Sequence, residues 1–234
     1  MIKALFLDLD HTLCDTYGAD DRAYDHTLNL ATRLNSHIDC TALRSTYTEL
    51  VDTEPWDPES VVPVVQWRTT LWARALKRQG VDDTGLARQL HDCFYQQRIV
   101  RFEFFDDVTD MLTSLRRDYT LIIVTNGDTA IQRPKLKACN ANDFVDHILI
   151  SGELRIDKPD PGIFQKACEL AGCAAAEAIH AGDSLESDVQ GGINAGLAAT
   201  VWVNPGAGRP APKPKPDFEI TTILKLPKIL AKLQ

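Results

Sequence analysis

The chain has 234 residues, a formal charge of −8, a hydrophobic share of 44% and a charged share of 25%, values of an ordinary folded protein with one large domain or a core domain carrying a smaller one. The acidic balance excludes a general nucleic-acid binder, which needs a positive surface to displace counterions, but leaves room for a small anion at a locally positive site. No run approaches the roughly 20 apolar residues of a membrane-spanning helix, and MIKALFLDLD turns acidic at once, so neither membrane insertion nor a secretion signal is expected.

Taken in chain order, the first predicted element is a strand at 2–8, IKALFLD. Further strands are expected at 120–125 (TLIIVT), 146–150 (DHILI), 178–182 (AIHAG), 199–203 (ATVWV) and 218–221 (FEIT). Helical periodicity fills the intervals. It is clearest at 161–171, where Ile163, Phe164, Ala167 and Leu170 share one face behind Asp160 as N-cap and Pro161 at the first helical position. Near-continuous apolar strands separated by helices predict an α/β fold with a parallel sheet covered on both faces.

The interval between the first two strands is too long for a crossover, which needs only about a dozen residues. It holds amphipathic helical stretches such as QWRTTLWARALKRQG (66–80), so an inserted helical domain is expected. Trp67, Leu71 and Ala75 fit one helical face there and are read as packing. PGAGRPAPKPKP (205–216) predicts a stiff linker, with a polyproline ligand as the alternative. The six cysteines are scattered with no CxxC pair, which suits reduced thiols in a cytoplasmic protein. Gly191, Gly192 and Gly196 are expected to permit close helix–sheet approach.

Ligands of open parallel sheets bind outside the carboxyl ends of the strands. Those ends carry Asp8 and Asp10 after the first strand, Thr125-Asn126-Gly127 after the second and Gly182-Asp183-Ser184 after the fourth, with Lys158 in the loop before the 161–171 helix. Carboxylates converging there without a cation would raise one another's pKa. A hard divalent ion resolves this, and Mg²⁺ takes one or two carboxylates plus water and phosphate oxygens. Lys158 then supplies a point charge for a phosphate, and Thr125, Asn126 and backbone N–H groups supply neutral donors.

DLDHT (8–12), Thr125-Asn126, Lys158-Pro159 and GDSLESD (182–188) resemble the four ordered motifs of the haloacid dehalogenase-like hydrolase superfamily. The resemblance implies a Rossmann-like core, 1–16 and 105–234, and an all-α C1 cap, 17–104, hinged at Asp15-Thr16 and 102–106. It implies that Asp8 is the nucleophile forming an aspartyl-phosphate, and that Asp10 is the acid that protonates the leaving alkoxide and then the base for water. Asp8, the carbonyl of Asp10 and Asp183 would hold Mg²⁺, with Asp188 in or near the second shell. Thr125, Asn126, Lys158 and the backbone at Leu9 and Asp10 would bind phosphate. His11 fills the variable slot of the first motif. A halide leaves without a proton, so an acid two residues beyond the nucleophile favours a phosphate ester over a haloacid.

The stretches 121–139, 182–204 and WRTTLW (67–72) are similar to the N-acylneuraminate-9-phosphatases, and the C-terminal stretch is similar also to the pyrimidine 5'-nucleotidases. A sialic acid phosphate carries a carboxylate far from its phosphate, which a cap guanidinium suits in a two-pronged contact. Arg68 and Arg101 are the candidates; the alternative is that they lie along apolar cap surface as structural arginines. The expected partner is a small-molecule phosphate ester bound by a monomer or homodimer, with no nucleic acid and no membrane. A response-regulator-like module, a phosphomutase and a non-catalytic binding protein are the rival classes.

Overall fold

Ala4, Leu5, Phe6 and Leu7 form β1 (Ala4–Leu7), and all four are fully buried, as the central strand of a parallel sheet requires. The computed structural model describes residues 1–54, 56–57, 61–206 and 213–233. In this range lie β2 (Thr120–Thr125), β3 (His147–Ile150), β4 (Ala178–Gly182), β5 (Ala199–Val203) and β6 (Phe218–Ile220). They form one six-stranded sheet in the order β3-β2-β1-β4-β5-β6, with every neighbouring pair parallel. The α/β architecture expected from the strand pattern, and the Rossmann-like core implied by the resemblance, are therefore present, with the first strand three residues and the third and sixth one residue shorter than predicted. The order reverses direction about β1, which opens a crevice outside the carboxyl ends of β1 and β4.

The described residues form two compact units, Met1–Asp15 with Glu103–Gln234, and Thr16–Phe102. The first holds the sheet, with α5 (Val108–Leu115), α6 (Thr129–Ala138), the short α7 (Ser151–Leu154), α8 (Pro161–Ala171), α9 (Gln190–Asn194) and α10 (Leu226–Leu233). Asp160 caps α8 by accepting from the Gly162 N–H at 2.7 Å, and Pro161 opens it, so the local signals were sufficient. A π-helical turn, Leu185–Val189, joins β4 to α9. Cys14 pairs with both Asp10 and Phe104 in isolated bridges, which ties the two chain segments bordering the other unit to each other.

The second unit is wholly helical among the described residues: α1 (Thr16–Leu34), α2 (Cys40–Thr53), α3 (Val64–Lys77) and α4 (Thr84–Val100). Asp39 and Asp83 cap α2 and α4 with their side chains. Its core gathers Leu43, Leu71, Trp72, Ala75 and Phe94, with Trp67 packed against it. Tyr47 stacks on Trp72 with ring centroids 4.0 Å apart. No helix among the described residues is long and apolar enough to cross a membrane. Half of the linker expected at 205–216, residues 207–212, lies outside the described residues.

Gly191 and Gly192 do bring α9 onto the sheet. A Cβ on Gly191 would stand 2.6 Å from Phe164 Cε2, and one on Gly192 2.6 Å from Thr200 Cγ2. Gly196 departs from the expectation: a Cβ there meets nothing within 4 Å, and its φ of +66° shows that it serves the turn after α9. Because Phe164 is itself fully buried and cannot swing away, Gly191→Ala is predicted to destabilise the fold by about 1–3 kcal/mol through overpacking, read as a lowered urea midpoint.

Candidate active site

β1 delivers Asp8 to the crevice directly, and the Asp8 N–H donates to Ala181 O of β4 at 3.0 Å, so Asp8 and the neighbouring strand end are in fixed register. The chain then turns sharply. Leu9 O accepts from the Leu13 and Cys14 N–H groups at 3.0 and 3.1 Å, and His11 adopts a left-handed φ of 61°. This turn leaves Asp10 half-buried while Leu9 is fully buried.

Lys158 lies at the centre of the site. Its Nζ donates to Asp8 Oδ1 at 2.8 Å, to Asp188 Oδ1 at 2.6 Å and to Val124 O at 2.8 Å. An ammonium has three donors and no acceptor, so this buried side chain is saturated. Its backbone is held as firmly. Asn126 Nδ2 donates to Lys158 O at 2.8 Å, and the Lys158 N–H donates to Asn126 Oδ1 at 2.8 Å. The Asn126 amide thus brackets the Lys158 backbone through one Nδ2 hydrogen and its Oδ1.

Asp188 sits against β4, where a Cβ on Gly182 would stand 2.2 Å from its carboxyl carbon; only glycine admits it. Asp188 Oδ2 accepts from the Ser184 N–H at 2.9 Å, and Oδ1 lies 2.8 Å from His180 Nε2. Both oxygens are therefore engaged by the protein. Asp183 is half-buried, and its carbonyl accepts from Trp202 Nε1 at 2.8 Å. Carboxylate oxygens of Asp8, Asp183 and Asp188 lie within 4.8 Å of one another.

The electrostatics follow from this crowding. Burial, reinforced by the Asp188 charge and opposed by Lys158, pushes the Asp8 carboxyl up to about 7. Burial, again with Asp188, pushes Asp183 up to about 6. Asp188 is also penalised by burial, but the Lys158 charge and the His180 bond outweigh that and hold it well below the usual carboxylate range. Burial lowers His180 in spite of Asp188, while the two carboxylates raise Lys158 against the cost of its burial. One ammonium does not balance three carboxylates, and two of them remain reluctant to ionise. Three hard oxygen donors with unbalanced charge fit a divalent cation.

Asp10 lies beside this group. Its Oδ1 accepts from Lys135 Nζ at 2.7 Å and its Oδ2 from Gln132 Nε2 at 2.9 Å. Thr125 Oγ1 accepts from Gln132 Nε2 at 2.6 Å. Asp8, Asp10, Thr125, Asn126, Lys158, Asp183 and Asp188 are thus brought together by the ends of β1, β2 and β4. Arg68 and Arg101 belong to the helical unit: Arg68 is half-buried on α3, and Arg101 is exposed at the end of α4, its carbonyl accepting from Arg22 Nη2 at 3.3 Å. Sequence reasoning missed His180, Gln132 and Lys135. The last two carry a signal, being polar residues three apart on the helix that follows the Thr125-Asn126 strand end, but that spacing also describes an ordinary solvated face.

A sequence profile of the haloacid dehalogenase-like hydrolases matches residues 2–196; the chain belongs to that family, and is an enzyme of it. Among named relatives, the N-acylneuraminate-9-phosphatase of Rattus norvegicus is 34% identical, over 98% of this chain and 94% of its own length. The pyrimidine 5'-nucleotidase PynA of Streptococcus pneumoniae is 29% identical, over 93% and 90%. The solved 2-haloacid dehalogenase of Pseudomonas syringae pv. Tomato aligns over 100% of both chains with 29% identity and a TM-score of 0.71.

Lys158→Met would leave Asp8 and Asp188 buried and facing each other without their shared cation. Breaking a buried ion pair from one side costs about 3–5 kcal/mol, and a loss of that size in denaturant-derived stability is expected, measured without added metal.

Proposed function

We propose that the protein is a Mg²⁺-dependent phosphomonoesterase that passes the phosphoryl group through Asp8. The observation that carries this is the Lys158 ammonium shared by Asp8 and Asp188, with Asp183 alongside and a second acid, Asp10, two residues past the nucleophile. Asp8, the Asp10 carbonyl and Asp183 would hold the ion, and Asp188, whose oxygens are already engaged, would orient the set. Bound there, the ion would neutralise the carboxylates and the phosphoryl oxygens and so let two anions meet.

The chain's own groups supply the remaining steps. Asp8 attacks phosphorus in line as the ester P–O bond breaks. Asp10 gives its proton to the departing alkoxide, which leaves poorly without one. Asp10 then takes a proton from water as the water oxygen attacks phosphorus and the Asp8–phosphorus bond breaks. Lys158 holds the nucleophile and the charge around it, while the Thr125 hydroxyl and the backbone N–H groups at Leu9 and Asp10 receive phosphoryl oxygens. A halide needs no such acid, so the pair at 8 and 10 favours an ester over the haloacid named for the Pseudomonas structure.

For the substrate we infer an N-acylneuraminate 9-phosphate, since the relative bearing that name is the more similar over nearly the whole chain; a pyrimidine nucleotide is the second reading. The helical unit would act as the specificity cap, with hinges at 15–16 and 102–106. Arg68 is the better of the two arginine candidates. Its Nε is buried without a hydrogen-bond partner, and it lies close to the buried Tyr47 and His91; a guanidinium with a donor to spare supports the reading that it meets a carboxylate. Orthophosphate release from N-acetylneuraminate 9-phosphate should exceed that from UMP and dTMP by at least tenfold in kcat/KM; negligible turnover of the first ester overturns the substrate reading. EDTA should abolish turnover of p-nitrophenyl phosphate, and Mg²⁺ restore it; a metal-loaded protein inert towards every ester tried would be a binding protein.

The raised carboxyls also set a pH dependence. Without metal, folded Asp8 (about 7) and Asp183 (about 6) keep protons that the unfolded chain has already lost, so metal-free stability falls as pH rises from about 4 to 7. A cation displaces those protons. The rise in Tm on adding Mg²⁺ is therefore expected to be larger at pH 8 than at pH 5.5, and a gain independent of pH would contradict the metal ligands named here.

A further inference from the structure

The proposed chemistry asks Asp10 to be an acid in one step and a base in the next, and the structure shows what holds its carboxyl in place. We propose that Gln132 and Lys135 are positioning residues that clamp the Asp10 carboxylate from α6, Gln132 also turning the Thr125 hydroxyl towards the phosphoryl group. This inference rests on the phosphomonoesterase reading above and adds to it.

Lys135 Nζ donates to Asp10 Oδ1 at 2.7 Å and Gln132 Nε2 to Asp10 Oδ2 at 2.9 Å, so each carboxylate oxygen has a donor. Both donors are almost fully buried, Gln132 at 2% exposure and Lys135 at 4%. Burying a lysine is costly unless its charge is met, and a buried ammonium has little freedom to move, so Asp10 is fixed by groups that are themselves fixed. Gln132 and Lys135 stand three residues apart on one face of α6. The start of that helix is set by Asp128, which accepts from the Ala130 N–H at 2.8 Å. The line of support therefore runs from the cap through one turn of helix to both oxygens of the acid.

The second half of the inference is a count of hydrogens. Gln132 Nε2 also lies 2.6 Å from Thr125 Oγ1 and 3.1 Å from Asn126 O; an amide nitrogen has two hydrogens, and the two shorter contacts, to Thr125 and Asp10, take them. A hydroxyl carries one hydrogen. Since the Thr125 oxygen accepts from Gln132, its own hydrogen points elsewhere, available as a donor to an anion. Gln132 thereby links the acid to the phosphoryl-binding hydroxyl, so that the two are placed by one side chain.

The consequence for the reaction is specific. When Asp10 releases its proton to the leaving alkoxide, the carboxylate formed is received by an ammonium and an amide already aimed at it. This lowers the cost of proton donation most where donation matters most, with a strongly basic leaving group. A nitrophenolate leaves without assistance.

The test compares kcat/KM, which reports the phosphoryl-transfer step, on p-nitrophenyl phosphate and on an alkyl ester such as glycerol phosphate or the sugar ester that wild type turns over best. Acid catalysis is worth about 10²–10⁴ in rate. Lys135→Met should accordingly lose at least about tenfold more on the alkyl ester than on the aryl ester, and Asp10→Asn should show the same bias more strongly. Gln132→Leu, which leaves the Lys135 charge in place, should show that bias on top of a loss common to both esters through Thr125; it decides the matter if the Met variant fails to fold. Equal losses on the two esters in the folded variants, or no loss on the alkyl ester, would overturn the clamp while leaving the phosphatase reading intact. Wild type inert on both esters would instead overturn that reading.

Discussion

A single ammonium, Lys158 Nζ, set between Asp8 and Asp188 with Val124 O as its third acceptor, is the interaction on which the site is organised. Burying one lysine and two aspartates costs far more than any one contact returns, so the arrangement persists only because each neighbour is also satisfied. Asn126 brackets the Lys158 backbone, and Ser184 and His180 occupy Asp188. Gly182 provides the space in which Asp188 fits. The residue that remains under strain is Asp8, the proposed nucleophile. Asp8 keeps a carboxyl reluctant to ionise, and a bound cation would relieve that reluctance when the reaction needs an anion.

The fold serves this arrangement by register. β1 and β4 are paired so that Leu7 faces Ala181, which places Asp8 and Asp183 at adjoining strand ends, and β2 pairs with β1 so that Thr125 ends two residues further along the same edge. The charged residues stand beyond the strand ends, where backbone N–H groups reach them, while the strands behind them are mostly apolar, His180 of β4 being the exception that meets Asp188. This division lets a site with several ionisable groups sit on a dry sheet.

Much of this was legible in the chain. The strands were visible because parallel central strands such as ALFL and TLIIVT are apolar on both faces, and α8 because Asp160 and Pro161 mark its start. The carboxylates, Thr125 and Lys158 were legible because they interrupt apolar strands or stand in the loop before a capped helix. Other features were hidden for physical reasons. Gln132 and Lys135 sit at helical positions where polar residues usually face solvent, and only the tertiary fold shows them buried against Asp10. His180 lies inside an apolar strand, where a histidine gives no local sign of its partner. Asn126 was recognised as a site residue, but its commitment to the Lys158 backbone depends on a loop 32 positions away that no local pattern predicts. Gly196 was grouped with its neighbours by proximity, although its left-handed turn is a different requirement from theirs.

The central claim is that the phosphoryl group rests on the carboxylate at position 8. The most direct measurement is to quench the enzyme in the presence of Mg²⁺ and a turning-over ester, reduce the acyl phosphate with borohydride, and sequence the peptides by mass spectrometry. The account predicts homoserine in place of Asp8 and at no other aspartate. Homoserine at a different position, or an unmodified Asp8 under conditions where orthophosphate is being released, would contradict it.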